Sequence, residues 1–406
     1  MRRTLSAIAG AASAVWRTIA PIKGALAVGA VAFVALALAG RLHPTPFNNF
    51  VLLADALRHG HVWIDWPGPY IDALEYNGQR YVIEAPMPAI LMLPAVAMWG
   101  TDVNQTLFSV AFGAIAVGAG WELARRIGVP TTTRLWLCGF LLLGTDLFWC
   151  AMYGDVWFIA HVCSVAFTLL ALVELMGKRR AWLVALFAAC AIESRFSLVF
   201  ALPVYAIWLA FGDDALRPSV HARRRLVEFA ATLLPFAVLW VDYNFARWGV
   251  PYDIGYTAWY HQDSAGSPTG SPFRLAYLPN QLYSFFVRFP MRFEGAPYLI
   301  PTYNGVALTW TSPALVLAFF ARRPVPVVIL AWIATLLVAL PNFIYYVNGY
   351  VQFGMRHALD FEPFLFLLMA LALRNGIRPI GMALCAWSMT AGAWGVWYWL
   401  TFYRTA

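Results

Sequence analysis

Acids are scarce in this chain, and the few at the edges of apolar runs are the ones placed to do chemistry. Asp and Glu number 20 among 406 residues. Asp55 lies in NNFVLLADALRHGH (Asn48 to His61), one residue past Ala54. Glu84 stands in Tyr81-Val82-Ile83-Glu84-Ala85-Pro86, and Asp155 in Asp155-Val156-Trp157-Phe158-Ile159-Ala160-His161. A carboxylate in such a position can take the proton of a substrate hydroxyl. Each also has a purely structural role open to it. Asp55 suits a solvated charge on a surface helix, whereas Glu84 and Asp155 suit helix N-termini, where a carboxylate contributes about 0.3–1 kcal/mol.

Cations supply the complementary chemistry. Arg356 and His357 fall in QFGMRHALD (Gln352 to Asp360), just outside an apolar run. Arg356 and Asp360 are four apart, the spacing of an intrahelical ion pair. A guanidinium fork there equally suits a phosphate, with Gly354 letting a headgroup approach the backbone, and spacing does not choose between the two. Arg58 follows Asp55 by three, and Arg195 sits with Glu193 and Ser194 inside an apolar stretch. His161, two turns into its run, reads as a satisfied buried histidine rather than a ligand. Glu84 with His261 is half of a divalent-metal site at most, since zinc sites take three or four ligands. Cys138, Cys150, Cys163, Cys190 and Cys385 lie in apolar runs without a CxxC pair, so neither a disulfide framework nor a metal knuckle is indicated.

Membrane helices must position these groups. The chain is 61% hydrophobic and 12% charged, with mean hydropathy +0.65, against about 25% charged residues in soluble domains. That excludes a soluble enzyme, a disordered tail and a nucleic-acid arm. A span needs about 20 apolar residues. Candidates are 22–40, 104–124, 135–151, 157–176, 226–245, 305–321, 325–347, 361–373 and 379–402. The stretch 181–211 is too long for one helix and reads as two short ones around a buried polar turn at 193–195, tolerated only where the turn faces protein or water. The expected fold is therefore all-α, a single integral-membrane bundle of about eleven spans over residues 1–406. PMPAILMLPAVAMW (86–99) is proline-rich and too short to cross, so it predicts a juxtamembrane or re-entrant helix on the outer side. Phe50, Leu53, Ala54 and Leu57 have the spacing of a helix lying on the membrane surface.

The net charge of +8 comes from clusters between spans, which are orientation signals rather than a nucleic-acid patch. With the N-terminus in the cytoplasm, the clusters at 2–3, 125–134, 178–180, 217–225, 322–323 and 374–378 all fall inside. A cleaved signal peptide ending near Ala37–Ala39 is disfavoured by the long segment carrying Arg17 before the apolar run. Two loops, 41–103 and 246–304, are large and share the outer face, so the work is expected there.

The order of these pieces resembles the GT-C superfamily of integral-membrane glycosyltransferases, notably the lipid A aminoarabinose transferases and protein O-mannosyltransferases. Asp55 matches the first-loop acid, Tyr81, Glu84 and Pro86 match a Tyr-x-x-Glu-Lys-Pro turn, and Asp155 matches the second-loop acid. The likeness is strongest over residues 22–180. It departs at Ala56, where many members have Glu, and at Ala85, where they have Lys. The resemblance implies inverting transfer of a sugar from a polyprenyl-phosphate donor to a hydroxyl of a glycan, lipid or protein. Asp55 would be the base, sharing one cavity with Tyr81, Glu84 and Asp155. Arg356 would hold the phosphate, with Tyr81, Arg58, Arg195 and His357 as further donor contacts, and a divalent ion at Glu84 and His261 is the one cofactor in view. Arg-rich, Lys-poor usage points to a high-GC bacterium, hence an inner-membrane protein with a periplasmic site. Two rivals stand beside this: a secondary transporter or flippase, for which the 181–211 break speaks, and a non-catalytic assembly subunit.

Overall fold

The computed structural model describes residues 22–66, 73–212, 218–262 and 270–403. Arg2, Arg3, Arg17, Asp72, Arg217, Arg404 and most of Ser264–Pro272 lie outside the described residues. Within them, five helices are long and apolar enough to cross a membrane: Lys23–Gly40, Gln105–Ile127, Val156–Leu175, Ala222–Trp248 and Val325–Phe343. A sixth arises if Thr131–Leu143 and Leu147–Tyr153, bent by 54°, make one crossing.

Val156–Leu175 is buried along almost its whole length and packs against Gln105–Ile127 and Ala181–Ile192. Ala222–Trp248 hides only 11% of its apolar window inside the protein, so its surface is built for lipid. Helices in lipid gain little by burying apolar side chains, and close packing of small residues joins them instead. Lys23–Gly40 meets Gln105–Ile127 in this way. A Cβ at Gly29 would sit 3.1 Å from the Ala114 carbonyl oxygen, and one at Gly118 would sit 2.9 Å from that of Ala25. Asn104 starts Gln105–Ile127 by accepting the Thr106 N–H at 2.9 Å.

Several expected spans are differently built. Residues 305–321 form Leu308–Thr311 and a 3-10 helix, Pro313–Phe320, because Pro313 cannot continue an α-helical ladder. The run at 361–373 is the 11-residue helix Glu362–Ala372, about 16 Å long at 1.5 Å per residue and short of the ~30 Å hydrocarbon core. Residues expected to extend the 325–347 span leave the helix after Phe343 and run as a loop. The stretch 181–211 breaks where its polar turn predicts, giving Ala181–Ile192, then Phe196–Ala201 and Leu202–Phe211. The turn faces protein: the Glu193 carbonyl accepts the Met87 N–H at 2.8 Å. That contact anchors Met87–Trp99, a 13-residue helix too short to cross, as the sequence indicates.

The all-α expectation misses two small hairpins. In the first, Leu74–Tyr76 pairs antiparallel with Gln79–Tyr81 across Asn77 and Gly78, whose φ angles are 50° and 74°. Asn-Gly is the preferred pair for this positive-φ turn, and that signal was present in the sequence. The second joins Met291–Arg292 to Leu299–Ile300.

Candidate functional site

Glu84 is positioned from both sides. On its N-terminal side the first hairpin is pinned by aromatic contact, Tyr81 at 5.1 Å and Tyr76 at 5.3 Å from the Trp248 ring. Arg247, stacked on Tyr243 and Trp248, donates to the Val82 carbonyl at 3.2 Å. On its C-terminal side the Met87–Glu193 bond fixes the next helix. Glu84 is thus held as a strap between two anchors, partly open to a cavity.

Asp155 reaches the same cavity by a turn that only glycine fits. Gly154 has φ +66° and closes Leu147–Tyr153, and a Cβ there would lie 2.8 Å from the Thr106 Cα. Gln105 then joins the two outer turns. It donates to the Gly154 carbonyl at 2.7 Å and the Phe47 carbonyl at 3.0 Å, and accepts the Phe50 N–H at 3.1 Å. The Asp155 side chain makes no capping hydrogen bond to its helix and accepts the Thr45 hydroxyl instead.

Arg356 and His357 lie on the 3-10 turn Arg356–Asp360. Three residues per turn put i and i+3 on one face and swing i+4 about 120° away. The ion pair that the spacing offered between Arg356 and Asp360 is accordingly absent. Asp360 turns inward, where it accepts from His161 Nδ1 at 2.8 Å, Arg195 Nε and one terminal nitrogen at 3.2 Å each, Ser197 Oγ at 2.7 Å and Asn342 Nδ2 at 3.3 Å. The Arg195 guanidinium also lies 3.4 Å from His357 Nδ1, and the His161 and His357 rings meet edge to face at 5.3 Å. Arg356 bonds the Gln352 side chain at 3.1 Å, lies 5.6 Å above the Phe158 ring, and has no carboxylate partner among the described residues. Gly354 packs its Cα face on the Asp146 carboxylate, 2.9 Å from where a Cβ would be, and donates its backbone N–H to that carboxylate at 3.2 Å.

These groups line one cavity of about 1080 Å³. Glu84, Asp155, His161, Arg195, Arg288, Arg356 and His357 supply the ionisable surface. Trp149, Tyr153, Trp157, Phe158, Tyr256, Trp259, Tyr345, Tyr346, Tyr350 and Trp399 supply aromatic walls, with Asn280, Asn304 and Asn348 between them. Burial pushes the Glu84 carboxyl above its ordinary value, an effect only partly offset by its own backbone N–H and by Arg195, Arg356 and Arg247. Burial also pushes the Tyr256 hydroxyl up to about 12, leaving it a proton donor at neutral pH. A carboxylate of raised basicity facing guanidinium groups is equipped to take a proton while an anion is held close by.

Four predicted residues stand elsewhere. Asp55 is not on the cavity wall. Phe50, Val51, Leu53, Ala54 and Ala56 are the packed residues of Asn49–Arg58, leaving Asp55 part-exposed and paired with Arg58 at 3.2 Å and His59 at 3.6 Å. Arg58 also donates to the Val96 carbonyl, nine residues beyond Met87 and so about 13 Å along that helix from the Glu84 end. The first outer loop touches the cavity through Thr45, Pro46 and Phe47, ahead of the surface helix. Tyr81 is spent on the Trp248 cluster, its hydroxyl donating to Gln79 at 2.9 Å. His261 is exposed at the end of Gly255–Gln262 and does not line the cavity. Among the described residues no three His, Cys, Asp or Glu converge as metal ligands. Sequence reasoning passed over Thr45, Arg288 and the carboxamides, whose positions depend on loop packing that no periodicity encodes.

Neither a family model nor a curated protein sequence matches the chain. A solved structure does: ArnT from Cupriavidus metallidurans bound to undecaprenyl phosphate, with TM-score 0.52 and 16% identity over 87% of this chain. The match spans 60% of that protein's length. Over most of this chain the fold is similar to that of ArnT.

Proposed function

We propose that this protein is a glycosyltransferase that takes its sugar from a polyprenyl-phosphate donor and transfers it to a hydroxyl acceptor. The observation that carries the reading is the single cavity in which Glu84 and Asp155 face Arg356 and Arg195 within an ArnT-like fold. In this reading the acceptor oxygen bonds to the anomeric carbon as the bond from that carbon to the phosphate oxygen breaks. The configuration inverts, the polyprenyl phosphate leaves with both bonding electrons, and the acceptor proton goes to a carboxylate. Glu84 replaces Asp55 as the proposed base, because it lines the cavity and its burial raises its basicity. Asp155, with the Thr45 hydroxyl, orients the acceptor. Arg356 takes the developing phosphate charge, supported by Arg195 and His357.

The chain is further proposed to sit in a bacterial inner membrane with eleven crossings, short and broken helices included. The N-terminus would be cytoplasmic and the cavity would open to the periplasm, as the Arg and Lys clusters of the opposite loops support. The 193–195 turn, bonded to Met87 and Asp360, is tied on two sides rather than free to hinge, which favours a transferase over a transporter.

The test uses the purified protein in lipid nanodiscs. Undecaprenyl phosphate should bind at least tenfold more tightly than the uncharged polyprenol, and Arg356→Gln should abolish the difference. Undecaprenyl-phosphoryl hexoses and pentoses, offered singly with an envelope glycan fraction, should release undecaprenyl phosphate in a Glu84-dependent way. Equal affinity for the phosphate and the alcohol would overturn the reading.

A further inference from the structure

Among the described residues, a second cation of the cavity has no carboxylate partner. Arg288 lines the wall made by the second outer loop. Among the described residues its guanidinium meets the Asn304 carbonyl oxygen at 3.4 Å, long for a hydrogen bond, the Tyr283 ring at 5.7 Å and, with the Asn348 amide turned to satisfy its neighbours, the Asn348 side-chain oxygen at 3.3 Å. Among the described residues no carboxylate is within ion-pair distance. Arg195, by contrast, is neutralised by Asp360. Beside Arg288, the Asn280 and Asn304 side chains line the cavity and make no hydrogen bonds among the described residues, only their main-chain carbonyls being used. A free carboxamide offers both donors and an acceptor, the combination a sugar hydroxyl needs. Trp259 and Tyr350 add flat apolar faces to the same cavity.

This wall is built from other elements than those carrying Glu84, Asp155 and Arg195. It comes from the loop around Leu278–Phe286 and from residues 344–352, which are joined by bridges between Phe273 and Tyr345 and between Asn304 and Gln352.

We propose that this wall is the acceptor subsite, and that the acceptor is a carbohydrate carrying a negatively charged substituent which Arg288 binds. The proposal rests on the transferase reading above and deepens it by naming the acceptor's chemical class. Asn280 and Asn304 read hydroxyl groups, Tyr350 covers the apolar face of a ring, and Arg288 pairs with a carboxylate or phosphate on the sugar.

The experiment is a calorimetric titration of the full chain in nanodiscs with three disaccharides: a neutral parent, its glucuronate-terminated form and its 6-phosphorylated form. At least one anionic form should bind about ten- to a hundredfold more tightly than the parent, the range expected for a charged hydrogen bond. The two anionic forms compared with each other distinguish a carboxylate substituent from a phosphate. Arg288→Gln should bring the ratio close to one while leaving undecaprenyl phosphate affinity within twofold, and Arg288→Lys should keep part of the preference. Asn304→Ala should weaken all three sugars by a similar factor. Equal binding of the three by the wild type, or none at all, overturns the proposal, as does a preference that survives in Arg288→Gln. Loss of undecaprenyl phosphate binding in Arg288→Gln would also overturn it, by moving Arg288 to the donor side. Failure of the wild type to bind undecaprenyl phosphate at all would count against the transferase reading alone, because the sugar ratio is measured without the carrier.

Discussion

Asp55 and Asp360 each have an arginine one turn away in sequence, yet they end in opposite environments. Asp55 lies on a regular α-helix, where i and i+3 share a face, and Arg58 and His59 meet it locally. Asp360 lies on a 3-10 turn, Arg356 rotates away from it, and its partners come from residues 18 to 199 positions distant. Asp55 is therefore a surface charge satisfied by its own helix. Asp360 is a fully buried knot that fixes His161 and Arg195 at the cavity. The lesson is that helix type, and not spacing alone, decides whether an acid pairs at home or organises a site.

The largest effect separating the two regions should come from Asp360→Asn. Removing one partner of a buried ion pair leaves Arg195 uncompensated and typically costs about 3–5 kcal/mol. Thermal unfolding in detergent should show a large loss of stability together with loss of turnover. Glu84→Gln is expected to differ in kind, with near-normal unfolding and turnover reduced about 10²–10⁴-fold. The pH profile sharpens this. A base works deprotonated, and the Glu84 carboxyl is raised by burial, so kcat/KM should fall, as pH drops, at a pH above the ordinary Glu value of about 4.3. Glu84→Gln should remove that acid limb, and Asp55→Asn should leave it in place.

A smaller effect is expected at Arg356. It has no acid partner among the described residues, and its stacking over Phe158 and its bond to Gln352 orient a planar fork. Lysine keeps the charge and loses the fork, so Arg356→Lys should raise the donor KM about tenfold with little change in stability. An unchanged donor KM would leave Arg356 a structural residue and move the phosphate to Arg195.

Much of the fold was legible because hydropathy and proline placement act locally. The five long helices, the short Met87–Trp99 helix and the broken 181–211 stretch all follow from residue type and run length. The site was legible only in part. Glu84, Asp155, Arg195, Arg356 and His357 stand beside sharp turns that the sequence marks with Pro, Gly or a polar interruption, and they meet in the cavity. Asp55, Tyr81 and Arg58 do not, because which face of Asn49–Arg58 and of the hairpin is buried depends on Trp248, Gln105 and Val96, residues far off in the chain. The Arg288 wall was invisible for the same reason. Segments 273–304 and 344–352 hold one short helix, Leu278–Phe286, whose period does not say what it packs against, and their mutual bridges help bring Arg288, Asn280 and Asn304 to the cavity.

The smallest effect is predicted where the outer-loop motif pointed most directly. If Asp55 is the local surface charge described above, Asp55→Asn removes its part-exposed pairing with Arg58 and His59, each such pair worth about 0.2–1 kcal/mol. It also frees Arg58, which keeps its bond to the Val96 carbonyl. Turnover should stay within about twofold of wild type, with unfolding shifted by no more than those pairs' contribution. A base positioned on the reacting hydroxyl would behave otherwise, since its loss costs about 10²–10⁴-fold in rate whatever the stability change. The two outcomes are at least fiftyfold apart by these ranges, so one measurement of rate beside one of stability decides. A collapse of turnover in Asp55→Asn with intact folding would mean that the Asn49–Arg58 helix swings its acid into the cavity when donor and acceptor are bound. Glu84 would then be left to position the acceptor instead of deprotonating it.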